Sequence, residues 1–289
     1  MAAFEVDVEN GAVFELQNVS FGYDGKVTAL DGVSLTVNAG ERVAVLGSNG
    51  SGKSTLLKIM DGLYFPTSGM VCAFSTELTE QVFQDDAFNF SFRRRVGLVF
   101  QDSDVQLFSP SVWDEVAFAP LQLGLSRDEV IVRVDAALGA LRIEKLRDRA
   151  PHRLSGGEKK RVALASVLSL SPDVWLMDEP TAGLDPRSQS WLVDFIIEQG
   201  QAGKTVVTAT HDLNIVESIA DRVYVLNEEH HVVAEGTPAQ VLTDHALLIA
   251  CNLMHEHRHR HEAEEHAHPH IHIPLHEHKH GWDGEKVTR

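Results

Sequence analysis

A glycine-rich stretch at residues 47–55 reads Gly47-Ser48-Asn49-Gly50-Ser51-Gly52-Lys53-Ser54-Thr55. It follows a short, mostly apolar run from Arg42 to Leu46, typical of a buried parallel strand, and it opens a run to Met60 that is typical of a helix. Glycines lack a Cβ, so a loop between such a strand and helix turns tightly and directs its N–H groups at an anion. The helix N-terminus adds a partial positive charge on the same side. The stretch therefore predicts a phosphate-binding loop, in which Lys53 reaches the β- and γ-phosphates of a nucleotide and Ser54 ligates Mg²⁺.

A pair of carboxylates follows a second apolar strand, predicted over residues 173–177. Asp178 and Glu179 come at its carboxyl end, the edge where open parallel sheets bind ligands. Asp178 is placed to hold Mg²⁺, and Glu179 to polarise the water that attacks the γ-phosphate. Alone, Asp-Glu-Pro would indicate a turn, but together with the glycine loop it predicts nucleotide hydrolysis.

In this order the motifs resemble the nucleotide-binding subunit of ATP-binding-cassette (ABC) proteins, over about residues 13–245. Four further motifs and one aromatic loop carry the resemblance: Val99 to Asp102, Leu154 to Glu158, Ala182 to Asp185, Thr208 to Asp212, and Phe21 to Tyr23. The resemblance implies an ATPase that uses ATP and Mg²⁺. It also implies an α/β fold of the P-loop NTPase type, with a RecA-like parallel sheet, an antiparallel β subdomain and an α-helical subdomain.

The resemblance also implies roles for single residues. Gln101 contacts Mg²⁺ and the attacking water, His211 touches the γ-phosphate, and Tyr23 stacks on adenine, so that Glu179, His211 and Gln101 form the catalytic set. Each residue taken alone has a structural explanation: Gln101 ends a strand, His211 is a satisfied histidine at a strand terminus, and Tyr23 is a core aromatic.

A second anion site is predicted at residues 155–158. Ser155, Gly156 and Gly157 precede a good helix former that begins at Glu158, and a serine hydroxyl with glycine amides at a helix start favours phosphate. One chain cannot close both sites on a single nucleotide. The resemblance therefore implies that these four residues complete the ATP site of a second cassette, identical or paralogous.

Composition limits where the chain works. Its net charge of −17 argues against a nucleic-acid or anionic-lipid surface. Two cysteines, Cys72 and Cys251, form no disulfide framework and favour a reducing cytosol. The first ten residues lack the features of a signal peptide, and no apolar run is long enough to span a bilayer. We expect a peripheral protein on the cytoplasmic face of a membrane, attached through another polypeptide.

The chain is expected to hold one cassette over residues 1–250, with a helical subdomain inserted at about 103–150. Residues 13–45 predict short antiparallel strands. Within the insertion, Ser126 and Glu129 form a capping box that begins a helix. Along that helix an apolar stripe predicts the interior of the subdomain; its members are Ile131, Val134, Leu138 and Leu141.

Residues 98–120 are similar to the cobalt/nickel branch of energy-coupling-factor importers. In such systems this region helps to form the groove that receives a helix of a transmembrane coupling subunit, beside a substrate-binding subunit. The same stretch also resembles vitamin-importing relatives, so a vitamin or another small molecule remains an alternative cargo. A soluble cassette ATPase is a further alternative, although the chain lacks both a second cassette and a long coiled-coil insertion.

The tail at residues 251–289 is predicted to be disordered, and eleven of the 16 histidines lie within 255–280. They are His255, His257, His259, His261, His266, His268, His270, His272, His276, His278 and His280. They form three groups, at 255–261, 266–272 and 276–280, in which every second residue is histidine, so an extended chain would present the imidazoles along one side. Imidazole suits Ni²⁺, Co²⁺, Zn²⁺ and Cu²⁺. The tail is therefore either a reservoir or sensor of transition metal, or a solvated polyelectrolyte that gains charge as the pH falls.

Overall fold

The computed structural model describes residues 11–261 and 264–270, with side chains over residues 11–254. The strands are β1 (Ala12–Tyr23), β2 (Val27–Asn38), β3 (Arg42–Leu46), β4 (Ser68–Ala73), β5 (Thr76–Glu77), β6 (Val96–Val99), β7 (Val174–Asp178), β8 (Thr205–Thr210), β9 (Arg222–Leu226), β10 (Val232–Gly236), β11 (His255–His261) and β12 (Glu264–His270). The α-helices are α1 (Lys53–Met60), α2 (Glu80–Phe83), α3 (Asp86–Arg95), α4 (Ser103–Gln106), α5 (Val112–Gln122), α6 (Arg127–Ala140), α7 (Gly156–Leu168), α8 (Pro186–Gln201), α9 (Leu213–Ile219), α10 (Pro238–Thr243) and α11 (His245–Ala250).

The central layer is a six-stranded sheet in the order β10-β9-β3-β8-β7-β6. Its strands are parallel except β10, which pairs antiparallel with β9. Strand β3 shows why the sequence favours this position: Val43 and Val45 are buried in one core cluster, and Ala44 and Leu46 in the other. A strand that is covered on both faces needs a continuous apolar run, as predicted for residues 42–46. The parallel core of the predicted fold is confirmed, and α1 follows β3 at the predicted residues.

A four-stranded antiparallel sheet, in the order β2-β1-β4-β5, covers α1 on one side of the central sheet. We expected short strands over residues 13–45. Instead, β1 and β2 have 12 residues each, and β3 belongs to the central sheet. Irregularities in the β1–β2 register, such as the one between Leu16 and Val19, explain why the alternation of polar and apolar residues looks broken in the sequence.

Residues 103–150, the range expected to form a helical subdomain, contain α4, α5 and α6. The capping box of Ser126 and Glu129 begins α6 as predicted. Val134, Leu138 and Leu141 are buried, but Ile131 is only partly buried and Val130 takes the interior place. Val130, Val134 and Leu138 are four residues apart, which places them on one face of the helix.

The C-terminal part differs from expectation at its start. The tail was predicted from residue 251, yet Cys251, Leu253 and Met254 are buried in the main core. After Met254 the backbone of β11 pairs antiparallel with β12, where an irregular chain was expected. His272, His276, His278 and His280 lie outside the described residues.

Candidate functional site

Two glycines allow the loop between β3 and α1 to take its shape. Gly52 has φ 108°, and a Cβ there would lie 2.1 Å from the carbonyl oxygen of Ala29. A Cβ on Gly47 would lie 2.4 Å from Ser51 Oγ and 2.9 Å from the carbonyl oxygen of Leu226. Any larger residue at either position would displace backbone, so the loop requires glycine at both.

A cavity of about 500 Å³ opens beside this loop. Nine residues that the sequence singled out line it: Tyr23, Asn49, Gly50, Gly52, Lys53, Ser54, Thr55, Gln101 and Glu179. Four residues that the sequence did not single out complete the lining: Val27, Thr28, Ala29 and His230. The cavity therefore brings the glycine loop together with residues that are distant along the chain.

The Lys53 ammonium group is buried in this cavity and held by oxygen atoms. Its Nζ donates to the carbonyl oxygens of Gly47, at 2.8 Å, and Ser48, at 3.0 Å, and lies 3.3 Å from Glu179 Oε1. A buried charge needs such partners. Lys53 Nζ is therefore already surrounded by oxygen atoms, and phosphate oxygens of a nucleotide could replace them as its partners.

The two carboxylates at the end of β7 have different neighbours. Asp178 Oδ1 accepts a hydrogen bond of 2.9 Å from Ser54 Oγ, which joins the strand end to the first turn of α1. Burial raises the pKa of Asp178, and the neighbouring Glu179 acts in the same direction. A bound cation would relieve this penalty, because opposite charge favours the ionised carboxyl.

Glu179 is held in an uncommon backbone conformation, with φ 40°. Its Oε1 accepts from the Nδ1–H of His211, at 2.9 Å, and its Oε2 accepts from Thr210 Oγ1, at 3.3 Å. His211 itself is half-exposed. Glu179 is thus a non-glycine residue with positive φ that is held by Thr210 at the end of β8 and by His211, the next residue along the chain. Such strained positions are typical of functional sites.

Gln101 lines the cavity at the end of β6, and a buried lysine fixes its backbone. Lys160 Nζ donates to the carbonyl oxygens of Gln101, at 2.8 Å, and Phe100, at 3.0 Å. Burial lowers the pKa of Lys160 to about 8, while Asp178 and Asp102 oppose this shift. No sequence pattern marks Lys160, because it is one of several charged residues on α7.

Tyr23 lies at the open end of the cavity, with 37% of the residue exposed. Its hydroxyl is 2.9 Å from Thr55 Oγ1, and its ring makes edge contacts with Phe21 and Tyr64. The ring is therefore positioned by neighbours yet still accessible. An accessible ring fits a stacking role better than a place in the core.

The residues of the predicted second anion site lie elsewhere. Ser155 and Glu158 form a capping box at the start of α7: Ser155 Oγ accepts from Glu158 N–H, and Glu158 Oε2 accepts from Ser155 N–H at 2.8 Å. These hydrogen bonds lower the pKa of Glu158. Ser155 and Gly156 are exposed, and no residue of 154–158 is among those lining the cavity. This separation within one chain is what the expectation of a second cassette requires.

His230 was missed because no motif marks it. It sits in the turn between β9 and β10 with φ 68°, and its Nδ1 lies 3.2 Å from the carbonyl oxygen of Ser51. In the same turn, Glu228 Oε1 accepts from Ser48 Oγ, at 3.5 Å, and from Asn252 Nδ2, at 2.9 Å. Only the packing of β9 against β3 brings this turn to the loop, so the sequence offered no local signal.

Over residues 11–254, no group of three or more His, Cys, Asp and Glu side chains is placed to hold a metal ion. Among the described helices, none is long and apolar enough to cross a membrane.

Comparison with known proteins identifies the family. The family model for ABC transporters matches residues 30–182. The nickel import ATP-binding protein NikO of Rhodobacter capsulatus is 52% identical over 83% of this chain and 95% of its own length. The energy-coupling factor transporter ATP-binding protein EcfA of Methanothermobacter thermautotrophicus is 42% identical over 83% of this chain and 76% of its own.

Solved structures agree in fold. CbiO1 of Clostridium perfringens, part of the ABC transporter complex cbiONQ, superimposes with a TM-score of 0.71 at 37% identity and covers 84% of this chain and 95% of its own. The cassette MJ0796, solved as a dimer bound to ADP and phosphate, gives a TM-score of 0.70 at 30% identity over 78% of this chain and 98% of its own. The glycine loop, the carboxylate pair and the two-layered sheet core thus have one explanation: the chain belongs to the ABC transporter family and is an ATP-binding, ATP-hydrolysing subunit similar to the energy-coupling-factor, nickel and cbiO cassettes.

Proposed function

We propose that this subunit powers the import of a divalent transition metal, nickel or cobalt, from the cytoplasmic face of a membrane. The observation that carries the metal assignment is the 52% identity to a nickel import ATP-binding protein along 95% of that protein. The match to cbiO1 of the cbiONQ complex and the histidine-rich tail support the same cargo class. A vitamin cargo rests on the resemblance of residues 98–120 to vitamin-importing relatives alone.

The arrangement of residues in the cavity supports a specific role for each of them in ATP hydrolysis. Lys53 transfers its contacts from Glu179 to the β- and γ-phosphates, while the loop amides of residues 47–55 bind the remaining phosphate oxygens. Glu179, oriented by His211 and Thr210, polarises the attacking water. The water oxygen bonds to the γ-phosphorus as the bond to the β-phosphate oxygen breaks, which gives ADP and phosphate. His211 and Gln101 contact the γ-phosphate and the water.

The oxygen atoms of Ser54 and Asp178 fit Mg²⁺, which prefers hard oxygen ligands. These oxygens already lie 2.9 Å apart, Ser54 lines the cavity, and among the described residues no cationic group donates a hydrogen bond to the buried Asp178 carboxyl. Gln101 would join them as a third oxygen ligand. When bound, Mg²⁺ would neutralise part of the triphosphate charge.

Two cassettes are needed to complete the site. Ser155 and Gly156 are exposed, Gly157 is partly exposed, and none of the three lines the cavity of its own chain, so they are free to contact ATP held by another copy or a paralogue. Glu158 contributes by holding Ser155 at the helix start. The dimeric MJ0796 cassette supports this arrangement.

A surface on the helical insertion fits the membrane partner. Val105, Phe108, Phe118 and Leu121 are each more than 40% exposed, and the two phenylalanine rings meet edge to face at 4.9 Å. Buried Glu115 fixes the loop beneath them by accepting from the backbone N–H groups of Phe108 and Ser109. We propose that this apolar surface receives a helix of a transmembrane coupling subunit.

Uptake in cells that lack this gene tests the proposal. Restoring the wild-type gene should restore accumulation of radioactive nickel or cobalt, and restoring Glu179→Gln should not. Metal uptake that is normal without the gene, or restored equally by both versions, would contradict the assignment. Co-purification with a membrane protein that is lost in Phe108→Asp but not in Val132→Asp would locate the contact, since Val132 is equally exposed but lies on α6.

A further inference from the structure

The central sheet stops supporting the backbone shortly before Gln101. Strand β6 makes its last pairing at Val99, opposite Met177 of β7. Beyond that pairing the side chain of Lys160 supports the chain: its Nζ donates to the carbonyl oxygens of Phe100, at 3.0 Å, and Gln101, at 2.8 Å. Helix α7, which carries Lys160, therefore holds the backbone at Gln101 in place of the sheet.

A second side chain joins the same segment to α7. Gln106 Oε1 accepts from the N–H of Phe100, at 3.2 Å, and Gln106 Nε2 donates to the carbonyl oxygen of Ala163 in α7, at 3.1 Å. The N–H of Phe100 is thus held through Gln106, whereas the carbonyl group of Gln101 is held by Lys160. The two contacts act on different groups, so a change of Lys160 alone leaves the contact of Gln106 in place.

The stability of the fold alone does not account for a lysine at position 160. The residue is 3% exposed, and a buried ammonium group loses its hydration. Replacing buried charged groups by apolar side chains of similar volume is often neutral or stabilising. A methionine would fill a similar space without the desolvation cost. The lysine differs from it in the hydrogen bonds to Phe100 and Gln101 and in its charge.

The neighbouring residue, Lys159, provides a comparison on the same helix. Its side chain is 19% exposed, and its Nζ pairs with Oδ1 of the exposed Asp104 at 2.5 Å. An ion pair at the surface contributes about 0–1 kcal/mol. Lys159 has the same chemistry as Lys160 but a different partner, so it is a matched control for the loss of one lysine from α7.

The placement of Gln101 affects the chemistry of the ATP cavity, which it lines together with Lys53 and Glu179. A displacement of about 1 Å in an active site can cost about 100-fold in rate. We propose that Lys160 is a positioning residue for ATP hydrolysis, which holds Gln101 where that residue contacts the attacking water and Mg²⁺. This role of Lys160 rests on the proposed role of Gln101 but not on the identity of the cargo.

A double-mutant cycle with Gln101→Ala tests the role of Lys160. At saturating ATP and Mg²⁺, Lys160→Met should lower the turnover number by about 10- to 100-fold. KM should stay near wild type, because Lys53 and the glycine loop keep their place at the phosphates. In the Gln101→Ala background the same substitution should slow turnover little further, because the side chain that Lys160 positions is already absent.

The cycle also separates positioning from an effect of charge. Asp178 favours the charged form of Lys160, so the alternative is that the lysine acts on this carboxylate directly. Such an effect would persist without the Gln101 side chain. An equal fold-change for Lys160→Met in both backgrounds would therefore overturn the proposal.

Two further variants exclude a general loss of structure. Lys159→Met should leave the turnover number and KM near wild type, and a slowdown equal to that of Lys160→Met would overturn the proposal. Lys160→Gln also removes the ammonium group, and it repeats the comparison if Lys160→Met proves poorly folded in urea unfolding.

Amide hydrogen exchange in the nucleotide-free protein gives a readout that does not depend on catalysis. Exchange of residues 101–105 should be faster in Lys160→Met than in the wild type and in Lys159→Met, because the loss of two hydrogen bonds frees this backbone. Equal exchange in all three proteins would refute the support by Lys160.

The roles of Gln101 and Lys160 fail in different ways. If Gln101→Ala hydrolyses ATP at the wild-type rate, the proposed role of Gln101 fails and that of Lys160 fails with it. If Gln101→Ala is slow while Lys160→Met is normal, the proposed function stands and only the role of Lys160 fails.

Discussion

Replacing Glu179 by glutamine should tighten ATP binding as well as slow hydrolysis. In the cavity the Lys53 ammonium lies 3.3 Å from Glu179 Oε1, with both groups about 5% exposed. ATP must draw Lys53 away from this carboxylate, so the ion pair competes with the nucleotide. The substitution removes the competitor, and with it a negative charge close to the predicted γ-phosphate position.

The size of the effect follows from the contact. Two unit charges at 3.3 Å attract by about 5 kcal/mol at an effective dielectric constant of about 20, but desolvation of both groups offsets most of this. Hydrogen bonds to charged groups are worth about 1.5–3 kcal/mol net, which corresponds to about 10- to 150-fold in affinity. Loss of the water-polarising carboxylate should lower the turnover number by about 10²- to 10⁴-fold.

Fluorescent-nucleotide titration and phosphate release measure the two effects separately. Glu115→Gln is the matched control, because Glu115 is equally buried but bonds to backbone N–H groups away from the cavity. It should leave both quantities near wild type. An unchanged affinity in Glu179→Gln would refute the competition with Lys53, and normal turnover would remove Glu179 from its proposed role.

Three further substitutions test other parts of the molecule. Burial raises the pKa of Asp61 from an ordinary 3.8 to about 7, against the opposing effect of Arg93. The protonated carboxyl therefore stabilises the fold at low pH, and this contribution is lost as the pH rises from about 4 to 7. Asp61→Asn should reduce the difference in the free energy of urea unfolding between about pH 5 and about pH 8, and an unaltered pH dependence would contradict this prediction. Tyr23→Ala should weaken ATP binding by about tenfold, in the range of one stacked base, whereas Tyr23→Phe, which loses only the hydrogen bond to Thr55, should bind nearly as well. Equal losses in both would assign the effect to the hydroxyl instead. His230→Gly should weaken nucleotide binding without lowering the melting temperature, because glycine relieves about 1 kcal/mol of left-handed backbone strain at φ 68°; a lower melting temperature would show a structural role only.

Local sequence was sufficient to predict structure where residues within one short segment determine its conformation. The strand at 42–46, the helix at 53–60 and the capping box at Ser126 follow from apolar runs, a glycine loop and a Ser–Glu spacing, and the structure has them at the predicted residues. The apolar stripe of α6 was predicted to begin at Ile131, but the buried residue is Val130. Both residues are β-branched and apolar, so only packing decides which of them is buried.

Contacts between distant segments could not be predicted in the same way. Lys160 reaches the carbonyl of Gln101 across 59 positions, and His230 reaches Ser51 across 179. Neither residue belongs to a run or spacing that indicates a site, and the order of strands alone brings them there. The roles of the site residues remain predictions, which the substitutions above test.

The hydrogen bonds of Glu228 have a practical consequence for dissecting the C-terminus. Asn252 donates to the same carboxylate oxygen that accepts from Ser48 in the glycine loop, and Leu253 and Met254 are buried immediately after it. A deletion that starts at Asn252 would remove both the histidines and a support of the nucleotide loop, so its phenotype would mix two causes. Shortening the chain after Met254 preserves that support, so a stop codon at position 255 removes the histidines without disturbing the nucleotide loop.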